Sequence, residues 1–146
     1  MNIVSTQYTA NTKTFEIYLA GCARNPHCKN CFNEETWDFN IGKLYEEELP
    51  NISIKINDFS NLIKYIAILG GEPLHSKGLV HLLEILYKLK PIWLYTSYEL
   101  NEVPNNIKQY CSYIKTGRYI EELAIDNNIQ YGIKLASSNQ KIYKIN

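Results

Sequence analysis

Three of the four cysteines of this 146-residue chain lie within one ten-residue segment, in the pattern C-x5-C-x2-C. They are Cys22, Cys28 and Cys31, and the fourth cysteine, Cys111, lies far along the chain. Thiolates are good ligands for zinc and for iron–sulfur clusters. Three thiolates that leave one ligand position open suit an iron–sulfur cluster whose fourth iron binds another molecule. The pattern therefore predicts a metal centre on this loop.

The spacing of the cysteines alone does not distinguish an iron–sulfur cluster from zinc. A structural zinc site needs a fourth ligand, for which His27, between the cysteines, and His75, elsewhere in the chain, are candidates. Three cysteines close together by chance are the weakest alternative, because clustered cysteines in a cytosolic chain more often bind metal. A non-catalytic metal-binding module therefore stays open.

A second motif, Gly70-Gly71-Glu72, follows the apolar run Tyr65–Leu69. Two glycines at the end of a buried strand allow a ligand to approach the backbone closely. The carboxylate of Glu72 would supply an acceptor for an ammonium group. A plain turn from a strand into a helix is the structural alternative. The position of the motif, one strand–helix unit after the cysteine loop, favours the binding role.

Apolar segments rich in strand formers alternate along the chain with segments of helical periodicity. Leu79, Leu82, Leu83 and Leu86 recur at helical spacing and predict a helix. The alternation predicts βα units with a parallel sheet. The strands are too few for a complete barrel, so we expect an α/β fold of the incomplete, TIM-like barrel type. The predicted strands are 14–19, 65–69, 91–95 and 111–114.

The remaining segments give weaker signals. The arm up to Asn11 is mostly polar, and no element is predicted there. Residues 41–51, with their glycine, three glutamates and proline, predict a polar connection. Asn57-Asp58 can cap a short helix. The C-terminal part predicts a small pair of strands, over 130–135 and 141–145.

Length and charge limit the function classes. A chain of this size predicts a single domain over residues 1–146. Fifteen basic and fifteen acidic side chains give no net charge and no basic block, so no nucleic-acid partner is expected. No signal peptide or membrane-spanning run is present, and a cytoplasmic location is expected.

The cysteine triad after the first predicted strand, Phe32 after the third cysteine and the later Gly70–Pro73 motif together resemble the radical S-adenosylmethionine superfamily. Within it, the chain is similar to the small glycyl-radical activases of anaerobic ribonucleotide reductases. The matching stretches keep the family order and extend to the C-terminus: Cys28–Asn33, Thr36–Gly42, Leu69–Leu74, Ile92–Tyr98, Gly117–Tyr119 and Ser137–Gln140.

The resemblance implies a [4Fe–4S] cluster held by the three loop cysteines, with S-adenosylmethionine chelated by the open iron. It further implies that Gly70, Gly71 and Glu72 hold the methionyl amino group and that Phe32 lies near the adenine. Hydroxyls at a strand end can reach a ribose, and a cation can pair with a carboxylate. Thr96 and Ser97 are therefore expected to contact the ribose, and Arg118 is expected to pair with the carboxylate.

The activity that the resemblance implies is reductive cleavage of S-adenosylmethionine to a 5′-deoxyadenosyl radical. That radical would generate the stored glycyl radical on the large subunit of an anaerobic ribonucleotide reductase. A flavodoxin-type protein is the implied electron donor. A small radical enzyme acting on a different protein, peptide or small molecule is the alternative.

The chain departs from the family pattern in its cysteine loop. The family shows C-x3-C-x2-C, whereas two additional residues lie between Cys22 and Cys28 here. The loop must therefore bulge around Arg24–Pro26 if all three thiolates are to face one cluster. Near the fourth predicted strand, Thr116-Gly117-Arg118 replaces the Asp-Gly-Lys of the family.

Overall fold

Nine strands form one open seven-stranded sheet and a separate hairpin in the computed structural model, which describes residues 1–146. The order across the large sheet is β3-β1-β2-β4-β5-β6-β9, and β7 pairs with β8 in the hairpin. The strands are β1 (Asn2–Thr9), β2 (Thr14–Leu19), β3 (Lys43–Leu44), β4 (Tyr65–Gly70), β5 (Ile92–Tyr95), β6 (Tyr113–Thr116), β7 (Ile129–Gln130), β8 (Ile133–Lys134) and β9 (Lys141–Lys144).

The four central strands, β2, β4, β5 and β6, are parallel to one another. Three α-helices connect them: α1 (Tyr45–Asp58), α2 (Leu79–Leu86) and α3 (Asn105–Lys108). Short 3-10 turns lie at Glu34–Thr36, Pro73–His75, Leu100–Glu102 and Glu121–Leu123. None of the helices has both the length and the apolarity needed to cross a bilayer. The predicted α/β class, with mostly parallel strands in an open sheet, is confirmed.

The helices pack on one face of the sheet and form the main core. The four leucines that predict α2 are all buried, as are Ile68 of β4 and Leu94 of β5. Burying one such side chain contributes about 1.5–3 kcal/mol. This layer therefore fixes the parallel strands, and with them the loops that follow their C-terminal ends.

Aromatic side chains cover the opposite face of the sheet. Trp93 stacks on Tyr113 with ring centroids 4.3 Å apart, and Tyr65 meets both rings edge-on. Leu135 and Ile142 pack in the same cluster, so the C-terminal segment closes part of this face. Trp93 itself is buried, so this cluster forms a second, smaller core.

The polar N-terminal arm forms strand β1, which the sequence does not predict. It pairs antiparallel with β2, with Tyr8 opposite Phe15 and Thr9 opposite Thr14. Only Ile3 of this strand is fully buried. Because backbone hydrogen bonds hold β1 with little apolar burial, its sequence lacks the alternation that identifies a strand.

The predicted polar connection over residues 41–51, and the helix capped by Asn57-Asp58, are wrong. Helix α1 occupies Tyr45–Asp58 and carries Pro50 in its interior. An internal proline costs a helix about 3 kcal/mol. Burial of Ile52 and Ile56 against the sheet offsets this cost.

The C-terminal strand pair exists, but with different partners from those expected. The predicted strand 130–135 is a hairpin whose turn consists of Tyr131 and Gly132, both at positive φ. The last strand, β9, instead pairs antiparallel with β6 and forms the edge of the large sheet. Strand β6 begins two residues after the predicted start at Cys111.

We expect Leu83→Ala, in the buried face of α2, to lower the free energy of unfolding by about 2–5 kcal/mol through lost burial and a cavity. Leu62→Ala is the matched control, because Leu62 is 50% exposed and should cost less than half as much. Urea unfolding of the cluster-free, reduced protein measures both. Equal losses would contradict the assignment of α2 to the core.

Candidate functional site

One pocket lies at the C-terminal ends of the parallel strands and collects every residue that the sequence proposes for the site. Loops after β2, β4, β5 and β6 supply its walls, because parallel strands place these ends along one edge of the sheet. The proposed residues that line it are Cys22, Cys28, Cys31, Phe32, Gly70, Gly71, Glu72, Thr96, Ser97 and Arg118.

The cysteine loop and the glycine motif are in direct backbone contact. The amide of Glu72 donates to the carbonyl of Gly21 at 2.8 Å. A Cβ on Gly71 would collide with the backbone of Gly21, so glycine is required for this approach. On the other side of the cysteine loop, the Cys22 amide donates to the Trp37 carbonyl at 3.0 Å. The first ligand position is therefore clamped between two backbone segments.

The carboxylate of Glu72 is almost completely buried, with 2% exposure, and joins the glycine motif to the end of β5. Thr96 Oγ1 donates to Oε1 at 2.7 Å. The Ser97 hydroxyl and amide donate to Oε2 at 2.6 and 2.8 Å. The Leu74 amide supplies a fourth hydrogen bond, to Oε1 at 3.1 Å. A carboxylate with four neutral donors and no cation among them is held by hydrogen bonding alone.

These four bonds occupy the lone-pair sites that a carboxylate offers. Glu72 therefore has little acceptor capacity left for an ammonium group, and the Thr96 and Ser97 hydroxyl protons are directed at Glu72 rather than into the pocket. The carbonyl oxygen of Gly71 accepts no hydrogen bond from the rest of the protein. The acceptor that the motif offers to a ligand is thus its backbone.

The three loop thiols are free and partly exposed toward the pocket. Burial raises the pKa of the Cys22 thiol, and the nearby charges of Glu72, Cys28 and Cys31 raise it further. The side chains do not converge closely enough to hold a single metal ion. A four-iron cluster is larger than one ion and is held by more widely separated thiolates. The donor set fits a cluster better than zinc.

The two histidines that could complete a zinc site are engaged elsewhere. His27 Nε2 lies 2.9 Å from the Cys22 carbonyl, and its ring stacks on Trp37 at 3.9 Å. His75 Nδ1 accepts the Ala23 amide at 2.9 Å. Both histidines therefore shape the cysteine loop instead of adding a ligand to it.

Arg24 is a pocket residue that the sequence analysis places in the bulge of the loop without a role. Its guanidinium donates from Nε to Ser97 Oγ at 2.9 Å and from Nη2 to the Ser97 carbonyl at 3.2 Å. It also lies 4.1 Å from the centroid of the Tyr98 ring. Arg24 thus brings a cation from the cysteine loop to the residues that follow β5.

Lys115 is a second pocket residue without a role in the sequence analysis. It lies at the end of β6, and its Nζ donates to the Gly117 carbonyl at 3.2 Å with no acidic partner. Burial lowers the pKa of Lys115 to about 8, against the opposing effect of Glu72, Cys28 and Cys31. A strand lysine is ordinarily read as solvent-facing, so sequence offered no signal for it.

The C-terminal tail fixes the segment that carries Arg118. Asn139 Nδ2 donates to the Arg118 carbonyl at 2.8 Å, and Gln140 Nε2 donates to the Gly117 carbonyl at 3.2 Å. The Arg118 side chain takes part in none of the ion pairs of the structure. The Ser137–Gln140 motif therefore holds the backbone of the loop after β6, which forms one wall of the pocket.

Phe32 forms part of the rim of the pocket. It is 72% exposed, and its ring centroid lies 5.1 Å from that of Tyr119. The two aromatic rings add an apolar surface to the lining of the pocket. Such a surface suits stacking with a planar ligand group.

We expect Gly71→Ala to cost about 1–3 kcal/mol of stability, because its Cβ collides with the backbone of Gly21 and either segment must shift. Gly132→Ala is the control, since nothing lies near its added Cβ and only its positive φ is strained. Urea unfolding of the cluster-free protein compares them. A smaller cost at Gly71 than at Gly132 would contradict the tight approach.

We expect the loop cysteines to react with iodoacetamide at pH 8 much faster than Cys111 in the folded, chelator-treated protein. Burial raises the pKa of the Cys111 thiol to about 12, so roughly one molecule in ten thousand carries the reactive thiolate at that pH. Peptide mass spectrometry locates the label, and labelling of Cys111 should rise on unfolding. Equal labelling rates in the folded state would contradict the burial of Cys111.

Comparisons with known proteins agree with this donor set. The family described as 4Fe-4S single cluster domain matches residues 12–143. The chain is 28% identical over 138 residues to the anaerobic ribonucleoside-triphosphate reductase-activating protein of Vibrio cholerae, a stretch that covers 88% of this chain and 85% of that protein.

The protein of the same name from Haemophilus influenzae is 27% identical over 138 residues, with the same coverage of both chains. That of Escherichia coli is 25% identical over 139 residues, which cover 88% of this chain and 86% of its own. Because the family match spans nearly the whole chain, the resemblance is confirmed: the protein belongs to the 4Fe-4S single cluster domain family, a radical S-adenosylmethionine type of domain.

Proposed function

We propose that this protein is the activating enzyme of an anaerobic ribonucleotide reductase and introduces a glycyl radical into its partner. The observation that carries the proposal is the single pocket in which three loop thiols face the Gly70–Glu72 motif. The names of relatives aligned over 88% of the chain support the choice of partner. A [4Fe–4S] cluster held there would, once reduced by one electron, supply the reductive cleavage of S-adenosylmethionine to methionine and the hydrogen-abstracting 5′-deoxyadenosyl radical.

In this proposal Cys22, Cys28 and Cys31 hold three irons and leave the fourth without a protein ligand. The Gly21 backbone positions Cys22 through its contacts with Thr36 and Glu72. Partial burial of the thiols limits access of water and oxidants to the cluster. We infer a cytoplasmic location, because a loop of three clustered cysteines that binds metal is typical of a reducing compartment.

The glycine motif would hold the methionyl end of S-adenosylmethionine. The carbonyl of Gly71, which accepts no hydrogen bond within the protein, would accept from the ammonium group, and the missing side chain of Gly70 would keep the backbone accessible. Glu72 then acts by holding the end of β5 rather than by contacting the ammonium directly. This modifies the role expected from sequence, in which the carboxylate itself is the acceptor.

Cations and aromatic rings would complete the ligand's surroundings. Arg118 and Lys115 line the pocket without acidic partners, and either can pair with the methionyl carboxylate. The exposed ring of Phe32 and the half-buried ring of Tyr119 suit the adenine. Thr96 and Ser97 remain candidates for the ribose through the acceptor sites of their hydroxyl oxygens. A flavodoxin-type protein would supply the electron.

We expect Cys22→Ala, Cys28→Ala and Cys31→Ala each to reduce S-adenosylmethionine cleavage to background after anaerobic reconstitution, because each removes a cluster ligand. Cys111→Ala is the control, since Cys111 lies in the core and its loss should cost only about 1 kcal/mol of stability. Chromatography of 5′-deoxyadenosine with dithionite as reductant measures cleavage. Equal loss in Cys111→Ala would contradict the ligand assignment.

The partner is tested by electron paramagnetic resonance after mixing the reconstituted protein with the anaerobic reductase and S-adenosylmethionine. A glycyl-radical doublet on the reductase is the expected result. Cleavage of S-adenosylmethionine without this signal would favour a different substrate. A colourless protein that contains zinc and lacks cluster absorbance would overturn the radical function.

A further inference from the structure

The longer cysteine loop contacts the end of β5 through a single side chain. Arg24 lies two residues after Cys22 and reaches Ser97 with two hydrogen bonds, one to the hydroxyl and one to the carbonyl. The guanidinium plane also covers the ring of Tyr98. A planar group with several fixed donors is needed to satisfy a hydroxyl, a carbonyl and a ring face together.

The Ser97 hydroxyl is hydrogen-bonded both to Arg24 and to Glu72 of the glycine motif. It accepts from Arg24 Nε at 2.9 Å and donates to Glu72 Oε2 at 2.6 Å. A hydroxyl that accepts from a cation donates more strongly to a carboxylate, because chained hydrogen bonds polarise one another. Arg24, Ser97 and Glu72 thus form one continuous link from the cysteine loop to the glycine motif.

A second link runs in parallel and ends at the same loop, the one that follows β5. The Ala23 amide donates to His75 Nδ1, which places the ring proton on Nε2. Nε2 lies 2.6 Å from the Tyr98 hydroxyl and donates to it. Tyr98 therefore contacts Arg24 through its ring and is linked through His75 to the backbone of Ala23. The bulge of the loop is held at two adjacent points.

We propose that Arg24 is a positioning residue for S-adenosylmethionine: it sets the distance between the cluster-bearing loop and the ledge formed by Glu72, Thr96 and Ser97. This inference rests on the proposed function, in which the ligand bridges the cluster and the glycine motif. Such a ligand is sensitive to the relative placement of its two attachment points, because misplacement weakens one contact or the other.

The test is anaerobic equilibrium dialysis of labelled S-adenosylmethionine against the reconstituted, oxidised protein, in which no turnover occurs. Arg24→Ala should raise the dissociation constant about 10- to 100-fold, the equivalent of one charged hydrogen bond. Iron and sulfide content should stay at wild-type values, and the melting temperature should fall by only a few degrees, because the lost contacts lie at the pocket and not in the core. The spectral change that S-adenosylmethionine causes in the reduced cluster should weaken in parallel.

Two further variants separate position from charge. Arg24→Lys keeps the charge but loses the planar fork, so its affinity should lie between those of wild type and Arg24→Ala. Lys29→Ala removes the same charge from the same loop at an exposed ion pair with Glu121, and should bind as wild type does. If Arg24→Ala does not fold, the affinities of Arg24→Lys and Lys29→Ala for S-adenosylmethionine are compared instead, and only Arg24→Lys should be weakened.

Wild-type affinity in Arg24→Ala with a complete cluster would overturn the positioning role. Loss of the cluster from both Arg24→Ala and Arg24→Lys would also overturn it, because Arg24 would then be needed to fold the cysteine loop. An equal loss of S-adenosylmethionine affinity in Lys29→Ala would overturn it as well. A wild-type protein that holds its cluster but binds no S-adenosylmethionine would instead defeat the proposed function, so the two failures are distinguishable.

Discussion

The buried carboxylate of Glu72 is the constraint on which the site depends. It lies after the central strand β4 and accepts hydrogen bonds from Thr96, Ser97 and Leu74. A buried carboxylate without these donors would carry a large desolvation cost. The loops after β4 and β5 are therefore held together by the need to satisfy one charge, and Arg24 joins the cysteine loop to the same set of bonds.

Backbone contact makes this arrangement compact. Gly71 allows the start of the cysteine loop to lie directly against the glycine motif, where any side chain would intervene. The loop itself has few apolar contacts, and polar links through His27, His75 and Arg24 give it shape. A loop held by polar links can keep its thiols partly exposed to a pocket, whereas the thiol of Cys111, packed in the core, is buried.

The fold was predictable where burial leaves a periodic pattern. The leucines of α2 and the apolar runs of β4 and β5 identify their elements because each faces the core. Strand β1 and helix α1 were missed for opposite reasons. β1 is held by backbone pairing, which has no residue signature, and α1 contains Pro50, whose local cost is outweighed by long-range burial of Ile52 and Ile56.

The sequence by itself determined the class of fold, the three thiols and the glycine motif, since these depend on residue types at short spacings. Only the tertiary structure decided what those residues contact. It committed the Glu72 carboxylate to β5, left the Gly71 carbonyl free, and brought Arg24 and Lys115 into the pocket. These outcomes depend on distances between residues far apart along the chain, such as Arg24 and Ser97, and no local pattern encodes such a distance.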